Sequence, residues 1–156
     1  MRITAEGLRH IYQHATRTYP YECFGFLIGS AGPTESVVQI VPGSNALGNQ
    51  PDRFEMDAAE FLAVEAAAEQ AGLEIIGFYH SHPDWPAVPS AADLRSAWPG
   101  SCYLIVTVHA AHPTSVAAWR LSGDAPSRFV EVPLEVLADA CDSTGDATPL
   151  ASQPPP

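Results

Sequence analysis

The stretch that most constrains this chain runs from Gly77 to Ala97, GFYHSHPDWPAVPSAADLRSA. An apolar run, Leu73 to Tyr79 with Ile75, Ile76 and Phe78, reads as a buried strand that ends at His80. His80 and His82 are two apart, and side chains on an extended chain alternate faces, so both imidazoles leave one face roughly 7 Å apart at Cα. One metal ion can bridge them. Pro83, Pro86 and Pro89 stiffen the loop that follows, and Ser90 has the chemistry of a helix N-cap ahead of Ala91, Ala92, Asp93, Leu94 and Arg95. Asp93 therefore falls in a first helical turn, where the helix dipole favours the ionised form that a metal needs. Two histidines and a carboxylate, with a fourth position left to water, form the pattern of a catalytic rather than a structural zinc site.

Each part has a plainer explanation when taken alone. A single His-x-His pair is weak evidence for metal, and Ser90 with Asp93 also matches a Ser-x-x-acid capping pair. The conjunction is what counts against coincidence, since it recurs by chance in about one in 10⁵ chains of this size at average composition.

His80-Ser81-His82-Pro83, six residues, then Ser90-x-x-Asp93, with Glu22 upstream in PYECFGFLIG, resembles the JAMM (MPN+, or Mov34/MPN/PAD-1) metalloprotease family. The resemblance covers about Thr4 to Val132. It implies zinc-dependent isopeptidase chemistry on ubiquitin or ubiquitin-like proteins, one Zn²⁺ per chain held by His80, His82 and Asp93, and catalytic roles for Glu22 and Ser90. It also implies the MPN fold, an α/β architecture with a mixed curved sheet flanked by helices, similar in outline to cytidine deaminase.

The bulk of the chain agrees with a small enzyme. At 156 residues it is long enough for one domain with a real core. A formal net charge of -11, with 7 Lys and Arg, argues against nucleic acid or an anionic membrane as partner. No transmembrane run and no basic-then-apolar leader is evident, so the expectation is a cytoplasmic protein beginning at Met1. Cys23, Cys102 and Cys141 are odd in number and widely spaced, as reduced thiols rather than a disulfide framework.

Thr4 to Tyr19 reads as an amphipathic helix on Leu8, Ile11, Tyr12 and Ala15, with His10 and His14 placed beside Arg9, Gln13 and Arg17 on its wet face. Cys23 to Gly29 and Ser36 to Val41 read as antiparallel strands. Glu22, at the start of the first, is by itself an ordinary solvated end residue. Cys23 beside it admits a cysteine-protease reading, which the histidine pair answers less well than metal does. In the loop PGSNALGNQPDRFEMD, Asn45, Arg53 and Phe54 resemble family residues near the site, and are equally well a turn former and rim residues.

Asp57 to Ala71 is a helix with Asp57 and Glu60 as a capping box, an apolar side of Phe61, Leu62, Val64 and Ala68, and Gly72 as its stop. Tyr103 to Val108 is a central strand, and Val116 to Leu121 and Arg128 to Val132 are two more. His109 and His112 fall in the intervening loop, and Leu134 to Cys141 could add a short helix. Residues 1–141 then form the domain, and 142–156, STGDATPLASQPPP after Asp142, have the composition of a disordered tail.

In zinc chemistry of the implied kind the pKa of a water falls from about 15.7 toward about 7. Glu22 would take its proton and return it to the leaving amine, and Ser90 would donate to the oxyanion, a bond worth roughly 3 kcal/mol. Trp85 and Val88 overlook this region, and with Asn45 are candidate substrate contacts; ordinary loop packing is the other explanation. The resemblance extends to short bacterial peptidases that act at the Gly-Gly tail of ubiquitin-like sulfur-carrier proteins, a tail that could add to an exposed sheet edge near the zinc. A general ubiquitin-like isopeptidase, a non-catalytic MPN-type scaffold and a metal-binding module are the alternatives.

Overall fold

The computed structural model describes residues 1–30, 32–46, 48, 56–123 and 127–139. Arg53, Phe54, Cys141 and the 142–156 segment lie outside the described residues. The elements run β1 (Arg2–Thr4), α1 (Ala5–Thr18), β2 (Phe24–Ser30), β3 (Ser36–Pro42), α2 (Ala58–Gln70), β4 (Glu74–Pro83), α3 (Ala91–Ser96), β5 (Cys102–His109), β6 (His112–Leu121), β7 (Phe129–Val132) and β8 (Glu135–Leu137). All the strands join one mixed sheet in the order β7-β6-β5-β4-β2-β3-β1-β8. Register shifts on β2 and near the end of β5 bend it, as bulges do.

The two long helices cover opposite faces. Thr4 caps α1 by accepting from the Gly7 N–H, and the stripe Leu8, Ile11 and Ala15 is buried against Leu27, Tyr79, Leu104 and Val106. Ala68, Phe61 and Val64 of α2 pack on a second cluster with Phe24, Phe26, Ile28, Phe78 and Tyr103. With both faces covered, β5 carries the nearly unbroken apolar run of an interior strand, and Leu104, Ile105, Val106 and Val108 are fully buried. Each such side chain contributes about 1.5–3 kcal/mol relative to exposure.

Several expectations are corrected. The strand before the motif does not end at His80; it continues to Pro83, because β5 pairs with it in parallel from Gly77↔Cys102 to Pro83↔Val108. Gly77 permits that pairing, since a Cβ there would lie 2.2 Å from the Cys102 carbonyl oxygen. No helix forms at Leu134: Glu135–Leu137 instead adds a strand parallel to β1, itself unanticipated, and the Met1 ammonium donates to the Pro133 carbonyl. His109 and His112 are not loop residues but face each other at the end of the β5/β6 hairpin, so β6 starts at His112 rather than Val116. Ala110 and Ala111 make the two-residue turn at φ 49° and 64°, the left-handed geometry that suits strand twist.

On α2, Asp57 caps the Ala59 and Glu60 N–H groups, but the reciprocal half of the box is missing because the Glu60 carboxylate accepts from the Ser44 N–H. Leu62, expected on the apolar side, is exposed. Among the described residues no helix is long and apolar enough to cross a membrane.

Candidate metal centre

β4 and β5 are the parallel pair at the middle of the sheet, and sites in such sheets lie at the carboxyl ends of strands. Tyr79 and Ser81 turn to the α1 side, while the alternation puts His80 and His82 on the other, and both histidines are buried. The loop after Pro83 returns to them through α3. Ser90 caps that helix with a complete box: its Oγ accepts from the Asp93 N–H at 3.1 Å, and its own N–H donates to Asp93 Oδ2 at 2.6 Å. The box aims the Asp93 carboxylate at the imidazoles. His80 Nε2 lies 3.0 Å from His82 Nε2 and 3.3 Å from Asp93 Oδ1, and His82 Nε2 lies 3.5 Å from Asp93 Oδ2.

These separations test the fit of an ion. Zinc bonds of about 2.0–2.1 Å set neighbouring tetrahedral donors about 3.3 Å apart, and the three contacts bracket that value. The chemistry fits too: two nitrogen donors and one carboxylate, their donor atoms all within 4.8 Å of one another. His82 Nδ1 donates to the Pro86 carbonyl at 2.8 Å, so in the neutral imidazole Nε2 is the lone pair offered to a metal. Burial disfavours a charged Asp93, but hydrogen bonds to His80 and His82 and from the Ser90 backbone outweigh it and hold the carboxyl well below its usual range. Burial lowers the pKa of His80; for His82 it is outweighed by Asp93 and the Pro86 carbonyl, with the Glu22 charge adding to them.

Glu22 reaches this field through a buried clasp. Ser81, between the two histidines, donates its N–H to the Cys23 carbonyl and accepts the Cys23 N–H on its Oγ, both at 3.0 Å. Residue 22 is thereby fixed where β2 enters the sheet beside β4. Ser81→Ala is expected to strand the buried Cys23 N–H at a cost of about 1–3 kcal/mol, read as a lower urea midpoint at unchanged slope. Burial raises the Cys23 thiol pKa, the opposite of what a nucleophilic cysteine needs.

Glu22 and Asn45 both line a cleft of about 360 Å³ with His14, Arg17, Tyr21 and Cys23. His14 was expected on the wet face; it is half-buried, and its Nδ1 is hydrogen-bonded with the Tyr79 hydroxyl at 2.8 Å. Burial, with Arg17 nearby, lowers the His14 pKa, and burial raises that of Tyr79, so both partners of this bond are neutral. The available signal was position: His14 flanks Ile11 and Ala15 on the edge of the apolar stripe. His10 does stay exposed, near Glu6. Trp85 and Val88 project from the β4–α3 loop at 72% and 55% exposure, on a backbone tied down by His82 to Pro86 and by Trp119 Nε1 to the Ala87 carbonyl. The outermost strands of the sheet are β7 and β8, and neither supplies one of the three donors.

Sheet, helices and donor set define an α/β protein with a three-donor metal-type centre at the carboxyl end of a central strand. The family profile described as prokaryotic homologs of the JAB domain matches residues 4–122, and the chain belongs to that family, part of the JAB/MPN group. A desampylase of Haloferax volcanii is 38% identical over 99 residues, 63% of this chain and 70% of the relative. A probable TtuB-protein conjugate cleaving protease of Thermus thermophilus is 31% identical over 84 residues, 54% of each chain. Among solved structures, a Salinibacter ruber protein superposes with TM-score 0.68 at 36% identity over 87% of this chain and 91% of its own. A JAB1/MPN domain protein from Archaeoglobus fulgidus, at 22% identity and TM-score 0.55 over 88% and 99%, shares the fold.

Proposed function

We propose that this chain is a zinc-dependent metallopeptidase that hydrolyses the amide bond after the C-terminal Gly-Gly of a ubiquitin-like, sulfur-carrier type protein. The observation that carries the reading is the meeting of His80, His82 and Asp93 donor atoms within 4.8 Å, with the Glu22 carboxylate in the same field. The relatives named as a desampylase and as a protease of TtuB conjugates support the reaction class. A zinc ion in a site of this kind supplies Lewis acidity toward water and the scissile carbonyl.

The chain's own residues do the rest. Glu22 accepts a proton from the attacking water and delivers it to the leaving nitrogen. Ser90 spends an oxygen lone pair on its helix cap, so its hydroxyl hydrogen remains to donate to the developing oxyanion. The Pro86 carbonyl keeps His82 in one tautomer. Trp85 and Val88 form a projecting apolar rim against which the body of the ubiquitin-like protein rests, and Asn45 lines the cleft beside Glu22.

The relatives' names also favour a second reading, removal of a ubiquitin-like modifier from conjugated proteins. Metal analysis of purified protein is expected to find about one zinc per chain. Incubation with a sulfur-carrier protein extended past Gly-Gly by one residue should release that residue in a chelator-sensitive way. Cleavage of a lysine-linked conjugate alone would select the second reading, and absence of bound metal would defeat both.

A further inference from the structure

The cleft beside Glu22 contains a cation without a carboxylate partner. Arg17, on the last turn of α1, lines it together with His14, Tyr21, Glu22 and Asn45. Among the described residues Arg2, Arg9 and Arg120 are in ion pairs with Glu135, Glu6 and Glu35, whereas Arg17, Arg95 and Arg128 are in none, and of these three Arg17 is the one that lines this cleft. In a chain of net charge -11 carboxylates are plentiful, so a cleft-lining guanidinium left without one is a place for an external anion. Among the described residues that line the cleft, Glu22 supplies the carboxylate and Arg17, exposed on the last turn of α1, supplies the guanidinium.

Resting on the reading above, we infer that this cleft is the leaving-group subsite and that it takes a chain-terminal amino acid whose free α-carboxylate is bound by Arg17. If Glu22 returns the proton to the leaving amine, that nitrogen comes within about 2.6–3.2 Å of its carboxylate. The leaving group then extends into the cavity Glu22 lines. A volume of about 360 Å³ is at the small end of ligand sites, about 300–1,000 Å³; it holds an amino acid or short peptide, not a folded protein. In the reaction water adds across the amide: the carbonyl carbon gains a C–O bond, the C–N bond breaks, and the released nitrogen takes its proton from Glu22. The leaving residue's carboxylate is unchanged throughout and serves only as the handle. The product is a zwitterion, with its amine toward Glu22 and its carboxylate toward Arg17. Substrate choice thereby turns toward trimming a C-terminal residue and away from cutting a lysine-linked conjugate, which carries no carboxylate at that place.

The test uses the full chain with Glu22→Gln, to prevent turnover, and two probes followed by NMR titration: the tripeptide Gly-Gly-Ala and its C-terminal amide. The free acid is expected to bind about 10-fold more tightly, as a charge-assisted hydrogen bond gives, with the largest shifts at Arg17, Tyr21 and Asn45. Adding Arg17→Gln should bring acid and amide within about 2-fold of each other, and Arg17→Lys should restore part of the difference. Equal binding of acid and amide, an equal loss on both with Arg17→Gln, or no shifts in the cleft at millimolar peptide would each overturn the inference. Failure of the wild-type protein to release the extension while the acid still seats at Arg17 would defeat the hydrolase reading and leave the carboxylate site standing.

Discussion

Replacing Glu22 with glutamine is expected to lower hydrolysis by about 10²–10⁴-fold while bound zinc stays at about one per chain. The amide keeps the size and the hydrogen-bonding reach of the carboxylate and loses only the capacity to take a proton. Glu22 is outside the group of donor atoms formed by His80, His82 and Asp93, so the metal content has no reason to fall. The drop amounts to about 3–5 kcal/mol of barrier, at 1.36 kcal/mol per tenfold. Single-turnover cleavage of the extended sulfur-carrier protein, with zinc measured on the same sample, checks both halves. Undiminished cleavage would remove Glu22 from the proton-transfer role.

His82→Ala is expected to lose both metal and hydrolysis. His82 offers one of three donors, and its Nε2 contacts both remaining partners, at 3.0 Å from His80 and 3.5 Å from Asp93. Two donors on their own fall short of the three protein ligands that catalytic zinc sites use. Thermal melts with and without chelator separate this from simple unfolding. Zinc held at about 1,000 times its Kd stabilises by about 4 kcal/mol, and chelation should lower the wild-type Tm by roughly 10 °C at this chain length. The variant's Tm should not respond to chelator, although its far-ultraviolet spectrum should match the wild type's. A chelator-sensitive melt in His82→Ala would show that the metal is held elsewhere.

Much of the site was legible because its determinants are local. The i, i+2 spacing of His80 and His82 puts them on one strand face whatever that strand pairs with, and Ser90 caps its helix through Asp93 three residues on. The α1 stripe and its Thr4 cap are equally short-range, as is the Gly72 stop, which sits at φ 69°. Where a more distant group competed with a short-range signal, the reading failed. Glu60 has the spacing of a capping box with Asp57, but its carboxylate accepts from Ser44, a residue far back in the chain.

What the sequence determined by itself, then, is the strand-loop-helix that carries the three donors, along with the helices and the apolar strands. These follow from periodicities and caps whose energies are settled within about one turn or two strand residues. Tertiary structure decided the rest. It extended β4 through both histidines by laying β5 beside it, and drew residues 135–137 into a strand because β1 offered a backbone edge. It brought Glu22 to the centre through the two bonds between Ser81 and Cys23, 58 residues apart, and buried His14 against Tyr79 across 65. Those outcomes depend on which distant segment supplies the missing hydrogen-bond partner, and a backbone donor or acceptor reads the same in sequence whichever partner it finds.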